Sequence, residues 1–248
     1  MDASQEPAPA PTRPPGPPPE NLWINLLCNV LLPGLIMSKL SSPERLGPVW
    51  ALVLGVSLPL GYGIYDLVRR RKWNLFSGVG LVSVGLTGGL GLYKASTMAF
   101  AIKEASVPAV FALAVLATLR SRRPLVREMI LNESVIDLPK VDDALDAHNS
   151  RQAFEDLLKH CTWLLAGSFA LSAALNFLLA RLFLTGEPGT SEFTEQLGRM
   201  NLWSWPVIMV PSMAILVVAL LKLLRGIHRL TGLKLEEILQ PHHRKPGK

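Results

Sequence analysis

Six long stretches with almost no charge, separated by polar or basic connectors, dominate this chain and leave few folds open to it. They fall at about 22–40, 46–68, 74–93, 95–119, 161–184 and 203–225. An apolar run of about 18 residues or more is long enough to cross the hydrocarbon core of a bilayer as a helix. A soluble all-helical core is the alternative, but such cores rarely need helices that are apolar on every face. Of the 248 residues, 18% are charged and 49% hydrophobic, against roughly a quarter charged in ordinary soluble domains. The expected fold class is an all-α polytopic membrane helical bundle with six transmembrane helices.

Charge sets the expected orientation. Arg69, Arg70, Arg71 and Lys72 follow the second run, Arg120, Arg122, Arg123 and Arg127 follow the fourth, and Arg225, Arg229 and Lys234 follow the sixth. With six spans these clusters share one side, while Lys39, Arg45, Lys94, Lys103, Arg181 and Arg199 are the six of 25 Lys and Arg assigned elsewhere. Cationic connectors stay in the cytoplasm, so N and C termini are both expected there. The net charge of +6 is spent at span ends and forms no basic face interleaved with aromatics, so no nucleic acid partner is expected. Cys28 and Cys161 show no disulfide or metal-ligand spacing. Both fall toward the cytoplasmic side, where thiols stay reduced.

Three regions follow. Residues 1–20, with eight prolines, read as a disordered, solvated tail. It lacks the basic start and small-residue cleavage site of a signal peptide, so the first span is expected to be retained. Residues 21–225 form the six-span membrane domain, interrupted by a cytoplasmic segment at 120–160, and 226–248 form a basic tail. Within the segment, Phe154, Leu157, Leu158 and Cys161 line one side of a short interfacial helix leading into the fifth span. Beyond the sixth span Ile227, Leu230, Leu233 and Ile238 keep roughly helical spacing, with Gly232 interrupting.

Polar residues inside the spans are the candidate site. Asn21, Asn25 and Asn29 form a stripe on the first helix, and Pro33 frees the carbonyl of Asn29. Ser168, Ser172 and Asn176 form a similar stripe on the fifth. Both patterns serve interhelical hydrogen bonding as well as solute contact. Lys103 and Glu104 precede Pro108. Ser106 to Leu119 covers only about 21 Å of helix, short of a core of about 30 Å. A spanning helix must begin near Ala95, which carries the pair into the membrane. Neighbours on a helix do not face one another, so the pair is expected to find partners on other spans. The alternative is a helix broken at 104, with the pair at the outer interface. The third span is glycine-rich; Gly85 and Gly89, near Ser83 and Thr87, have the spacing of a close helix–helix contact. Pro59, Pro206 and Pro211 are expected kink positions.

Phosphate-binding loops, dinucleotide fingerprints, HExxH and nucleophile elbows are absent from the sequence. His242 and His243 lie in the basic tail, His160 beside Cys161 has no matching ligand pair, and Tyr65 with Asp66 is the nearest approach to a catalytic cluster. No enzyme activity, cofactor or metal is expected.

The stretch NLLCNVLLPGLIMSKLSSPERLGPVWALVLGVSLPLGYGIYDLVRRRKWN, with AIKEASVP (Ala101 to Pro108) and LSAALNFLLA (Leu171 to Ala180), resembles an uncharacterised family of bacterial six-span integral membrane proteins, some loosely labelled transporters. More distantly it is similar to the intracellular septation protein A family. The resemblance covers about 21–239. It implies the bacterial inner membrane and a role in transport or envelope maintenance, and carries over no site residues. The Pro-rich tail and segment 127–160 depart from the shortest members, which leaves partner binding open. Two functions are therefore expected. One is movement of a small solute or ion between spans one, four and five, past Asn25, Asn29, Lys103, Glu104, Ser172 and Asn176. The other is a non-catalytic scaffold recruiting partners through its cytoplasmic segments. Besides the lipid bilayer, a homodimer and a cytoplasmic protein are the partners the sequence leaves room for.

Overall fold

The computed structural model describes residues 22–70, 75–120 and 136–239. The Pro-rich tail, most of the basic residues of the two long connectors and the pair His242–His243 lie outside the described residues. The chain is an all-α bundle. A first run joins α1 (Leu22–Leu26), a π turn (Leu27–Leu31) and α2 (Leu32–Leu40). It is followed by α3 (Gly47–Arg70), α4 (Leu75–Leu92) and α5 (Thr97–Ala117), the last ending in a 3₁₀ turn (Thr118–Arg120). The second half holds α6 (Leu138–Ala147), α7 (Arg151–Phe183) and α8 (Ser191–Ser204). A second π turn (Trp205–Met209) then leads into α9 (Val210–Thr231), and α10 (Leu235–Leu239) closes the described chain.

Five helical runs are long and apolar enough to cross a membrane: Trp23–Leu40, Gly47–Tyr65, Thr97–Ala117, Arg151–Phe183 and Ser191–Thr231. A further apolar helix, Gly78–Leu92, is shorter among the described residues. Large apolar side chains look outward all round the bundle, including Trp23, Val82, Val110, Leu113 and Leu182. Water would penalise such a surface, whereas lipid accepts it.

Two helices run further than expected. The stripe at Phe154, Leu158 and Cys161 continues in phase into Leu165, and no proline stands between Ser150 and Leu184. The expected interfacial helix is therefore the first part of a 33-residue α7. At the other end, Thr190 caps α8 by accepting a hydrogen bond from the Phe193 amide, and Phe193, Leu197 and Met200 are buried on one face. The sixth run therefore begins at Ser191 and not near 203.

The prolines leave local signatures. Each π turn ends within two residues of a proline, Pro33 in the first run and Pro211 in the last. Proline removes one N–H from the ladder and clashes with the carbonyl four residues back, and the extra residue of a π turn absorbs that mismatch.

The short turns at 41–46, 93–96 and 184–190 gather at one end of the bundle, here the hairpin end. Its core is Met37, Leu52, Val56, Phe100, Leu179, Phe193 and Leu197; the Phe100 and Phe193 rings meet edge to face at 5.1 Å. The opposite, terminal end has a second core of Val115, Leu145, Phe154, Leu158, Leu165, Leu223 and Ile227. There α6 and α10 fold over the ends of α7 and α9. The Asp137 amide donates to the Ile238 carbonyl, Lys140 meets Glu237 at 3.1 Å, and Ser150 donates to the Leu230 carbonyl. Gly232, with φ +71°, stops α9 and turns the chain back.

Candidate functional site

The glycines set how closely the helices approach. A Cβ on Gly198 would lie 2.5 Å from the Ser38 amide nitrogen and 2.6 Å from the Gly34 carbonyl oxygen, so α2 and α8 cross backbone to backbone. Gly88 and Gly91 let α4 close on Val56 and Leu52 of α3. Gly85 and Gly89, the pair the sequence singles out, meet nothing within 4 Å in the chain. Three residues on from Gly85 and two from Gly89, Gly88 and Gly91 point toward α3 instead of outward.

Between the crossing of α2 and α8 and the neighbouring α3, α4, α5 and α7 lies a cavity of about 190 Å³. That is room for about six waters at liquid density. Pro33, Pro59, Leu179 and Met200 supply apolar wall; Asn29, Lys103, Glu104, Asn176, Asn201 and Ser204 supply polar wall. Lys103 and Glu104 lie two turns inside α5. The helix is continuous from its Ser96 cap through the pair to Ala117, without the break at 104 that was the alternative.

The pair is arranged differently from expectation. Lys103 Nζ meets Glu104 Oε1 at 2.9 Å although the two are adjacent. Both side chains are long enough to bend toward the same space. Lys103 Nζ also donates to Thr87 Oγ1 of α4, and that hydroxyl donates to the Ser83 carbonyl at 3.1 Å. Ser83 and Thr87, read from sequence as packing, thus hold the cation. The Lys103 and Glu104 side chains are 9% and 21% exposed, which leaves the carboxylate the more accessible from the cavity.

Asn29 and Asn176, from the two stripes, reach the same cavity. Asn29 Nδ2 donates to Asn25 Oδ1 at 3.1 Å, and Asn176 Nδ2 donates to the Ser172 carbonyl at 2.8 Å. Asn25 and Ser172 stand behind these amides and do not line the cavity. Ser168 leaves its stripe's role altogether and donates to the Ser212 carbonyl of α9 at 2.9 Å. Asn201 was missed by the sequence reading because it precedes the expected sixth span at 203–225, and Ser204, inside that span, was not singled out. Asn201 Nδ2 donates to the Val30 carbonyl at 3.0 Å, inside the first π turn. The signal was available in Thr190 followed by the Phe193, Leu197, Met200 spacing, which extends the helix back across Asn201.

These features define a multi-pass membrane protein: a helical bundle with five candidate spans around a polar cavity. Comparison with protein-family models, curated proteins and solved structures returns no match, and no family is identified. Among the described residues no group of three His, Cys, Asp or Glu is placed to hold a metal ion.

Proposed function

We propose that this chain is a six-span, non-enzymatic protein of the bacterial inner membrane that passes a small polar solute or ion through this cavity. The span added to the five is α4, third in chain order, whose 18 residues reach about 27 Å. Both termini lie in the cytoplasm, as the distribution of Lys and Arg requires. The family resemblance supports the bacterial inner membrane. One observation carries the transport reading. An ion pair and three amides converge on one cavity inside helices that are otherwise apolar, and lipid makes such groups costly unless they have a use. Each amide is held by its own helix or by a neighbouring carbonyl, so the wall is in place before a solute arrives. The scaffold reading draws on the terminal end, where α6 and α10 make a folded cap on α7 and α9 that a cytoplasmic partner would meet.

Vesicles carrying the purified chain, challenged with glycerol, urea, glycine and potassium ion, test the transport reading by stopped-flow flux. At least one solute should cross faster than in protein-free vesicles, and the advantage should vanish in the Lys103→Leu/Glu104→Leu double variant. No acceleration of any of them, or full flux through the double variant, overturns it. If deleting 127–150 abolishes a cellular phenotype that the double variant leaves intact, the scaffold reading takes its place. Reporter fusions placing the connector around Arg70 outside the cell would overturn the orientation.

A further inference from the structure

The polar cavity has an apolar neighbour. Between α4 and α5 lies a groove of about 350 Å³ with Val79, Val82, Leu86 and Val107 along it. Val82 and Leu86 are 63% and 50% exposed, so the groove faces the surroundings of the bundle, which in a membrane are acyl chains. Ser83 and Lys103 belong to the walls of both the groove and the polar cavity. Lys103 is thus a partition between a greasy surface groove and a polar interior.

Charge narrows the ligand. The charged groups that line the cavity are one Lys and one Glu, and their sum is zero. A ligand of net charge would leave one charge without a complement among the wall's charged groups, and an unpaired, partly desolvated ion is penalised. A ligand with one positive and one negative end lets the Lys103–Glu104 pair open without that penalty, because each side chain then meets its complement. Asn29, Asn176 and Asn201 offer neutral donors and acceptors for the remaining polar atoms. A water-soluble zwitterion would use the cavity and leave the groove idle, whereas an amphiphile uses both.

We propose that the cavity opens sideways to the bilayer between α4 and α5 and receives a phospholipid with a zwitterionic phosphoethanolamine headgroup. The phosphate lies at Lys103, the ammonium at Glu104, and an acyl chain along Val79, Val82, Leu86 and Val107. This goes beyond the transport reading: it needs the cavity and its ion pair, not the passage of a soluble solute.

The test uses the full chain in phosphatidylglycerol vesicles containing traces of phosphatidylethanolamine or phosphatidylglycerol, each nitroxide-labelled on an acyl chain. Electron spin resonance reads the immobilised fraction. Labelled phosphatidylethanolamine should be retained over labelled phosphatidylglycerol by about tenfold or more, the worth of one charge-assisted hydrogen bond. The preference should disappear in Lys103→Leu/Glu104→Leu, which removes both charges together, and in Val82→Trp, which fills the groove from its lipid side. Leu86→Trp blocks the same groove from a second position, should the first variant fold poorly. Equal retention of the two lipids overturns the proposal, and so does a preference that survives both groove variants. Passage of soluble glycerophosphoethanolamine, lost in the double variant but unchanged by Val82→Trp, sinks the sideways route and leaves the transport reading standing. No flux and no lipid preference sinks both.

Discussion

The two ends of the bundle are held together by different physics. At the hairpin end, beside the buried Phe100 and Phe193, small residues and hydrogen bonds between helices add cohesion: Gly34 against Gly198, Gly88 against Val56, the Asn201 amide on the Val30 carbonyl. At the terminal end large side chains fill the contact, with Phe154 and Leu158 4% and 0% exposed. There Gly226 serves chiefly to admit the Leu157 side chain. On the proposed topology the difference follows from the solvent at each end. Lipid tails are as apolar as leucine, so burying a large side chain against a neighbouring helix gains little, and close backbone contact with polar ties has to supply cohesion. On the proposed topology α6, α10 and the adjoining ends of α7 and α9 lie on the cytoplasmic side, where water restores the hydrophobic drive. The polar cavity lies in the first kind of region, where polar groups already serve as cohesion.

Five substitutions or conditions sharpen or break this contrast. Phe154→Ala should cost about 3–5 kcal/mol, read by denaturant unfolding of the chain in nanodiscs; a loss near zero would mean that the terminal end is not held by burial. Lys103→Leu alone should cost about 1–3 kcal/mol, because it leaves the partly buried Glu104 carboxylate without its ion partner. The double variant Lys103→Leu/Glu104→Leu should recover most of that, and failure to recover would show the pair's geometry to matter beyond its charge.

Gly198→Ala should cost about 1–3 kcal/mol by forcing α2 and α8 apart, while Gly85→Ala and Gly89→Ala should stay within about 0.5 kcal/mol. A loss in the latter pair that depends on protein concentration would point to a second copy on that face. Asn201→Leu should cost about 1 kcal/mol, detected as faster hydrogen exchange in the π turn at 27–31.

The smallest effect is acid loosening of the terminal end. The Lys234 backbone amide first, and the Lys140 ammonium second, hold the Glu237 carboxyl below its ordinary value of 4.5. A carboxylate depressed on folding adds stability above its unfolded pKa and loses it as pH falls through the folded value. Amides of 235–239 should therefore lose protection below about pH 4.5. Glu237→Gln should abolish that dependence. Protection unchanged from neutral pH down to acid would show that Ile238, fully buried, docks α10 unaided.

Much of the site could be read from residue spacing, and the failures have physical causes. Asn29, Lys103, Glu104 and Asn176 stood out because each is costly in lipid, and all four line one cavity. Asn25 and Ser172 share their helix faces but sit one turn away, and helical periodicity cannot say where along a face a neighbour's surface falls away. Thr87 looked like packing because its role depends on the reach of a lysine from another helix. Asn201 was lost with the boundary of its helix, since the polar first turns of α8 resemble a loop unless the Thr190 cap is weighed against them.

Local chemistry alone determined that the chain is helical, where its apolar helices run, and which few polar groups stand among them, because lipid tolerates neither unpaired backbone nor stray charge. Tertiary structure decided which glycines bring helices together, that Lys103 turns toward its own neighbour and Thr87, and that a greasy groove adjoins the polar cavity. Those outcomes depend on distances between helices far apart in the chain, which no periodicity within one helix encodes.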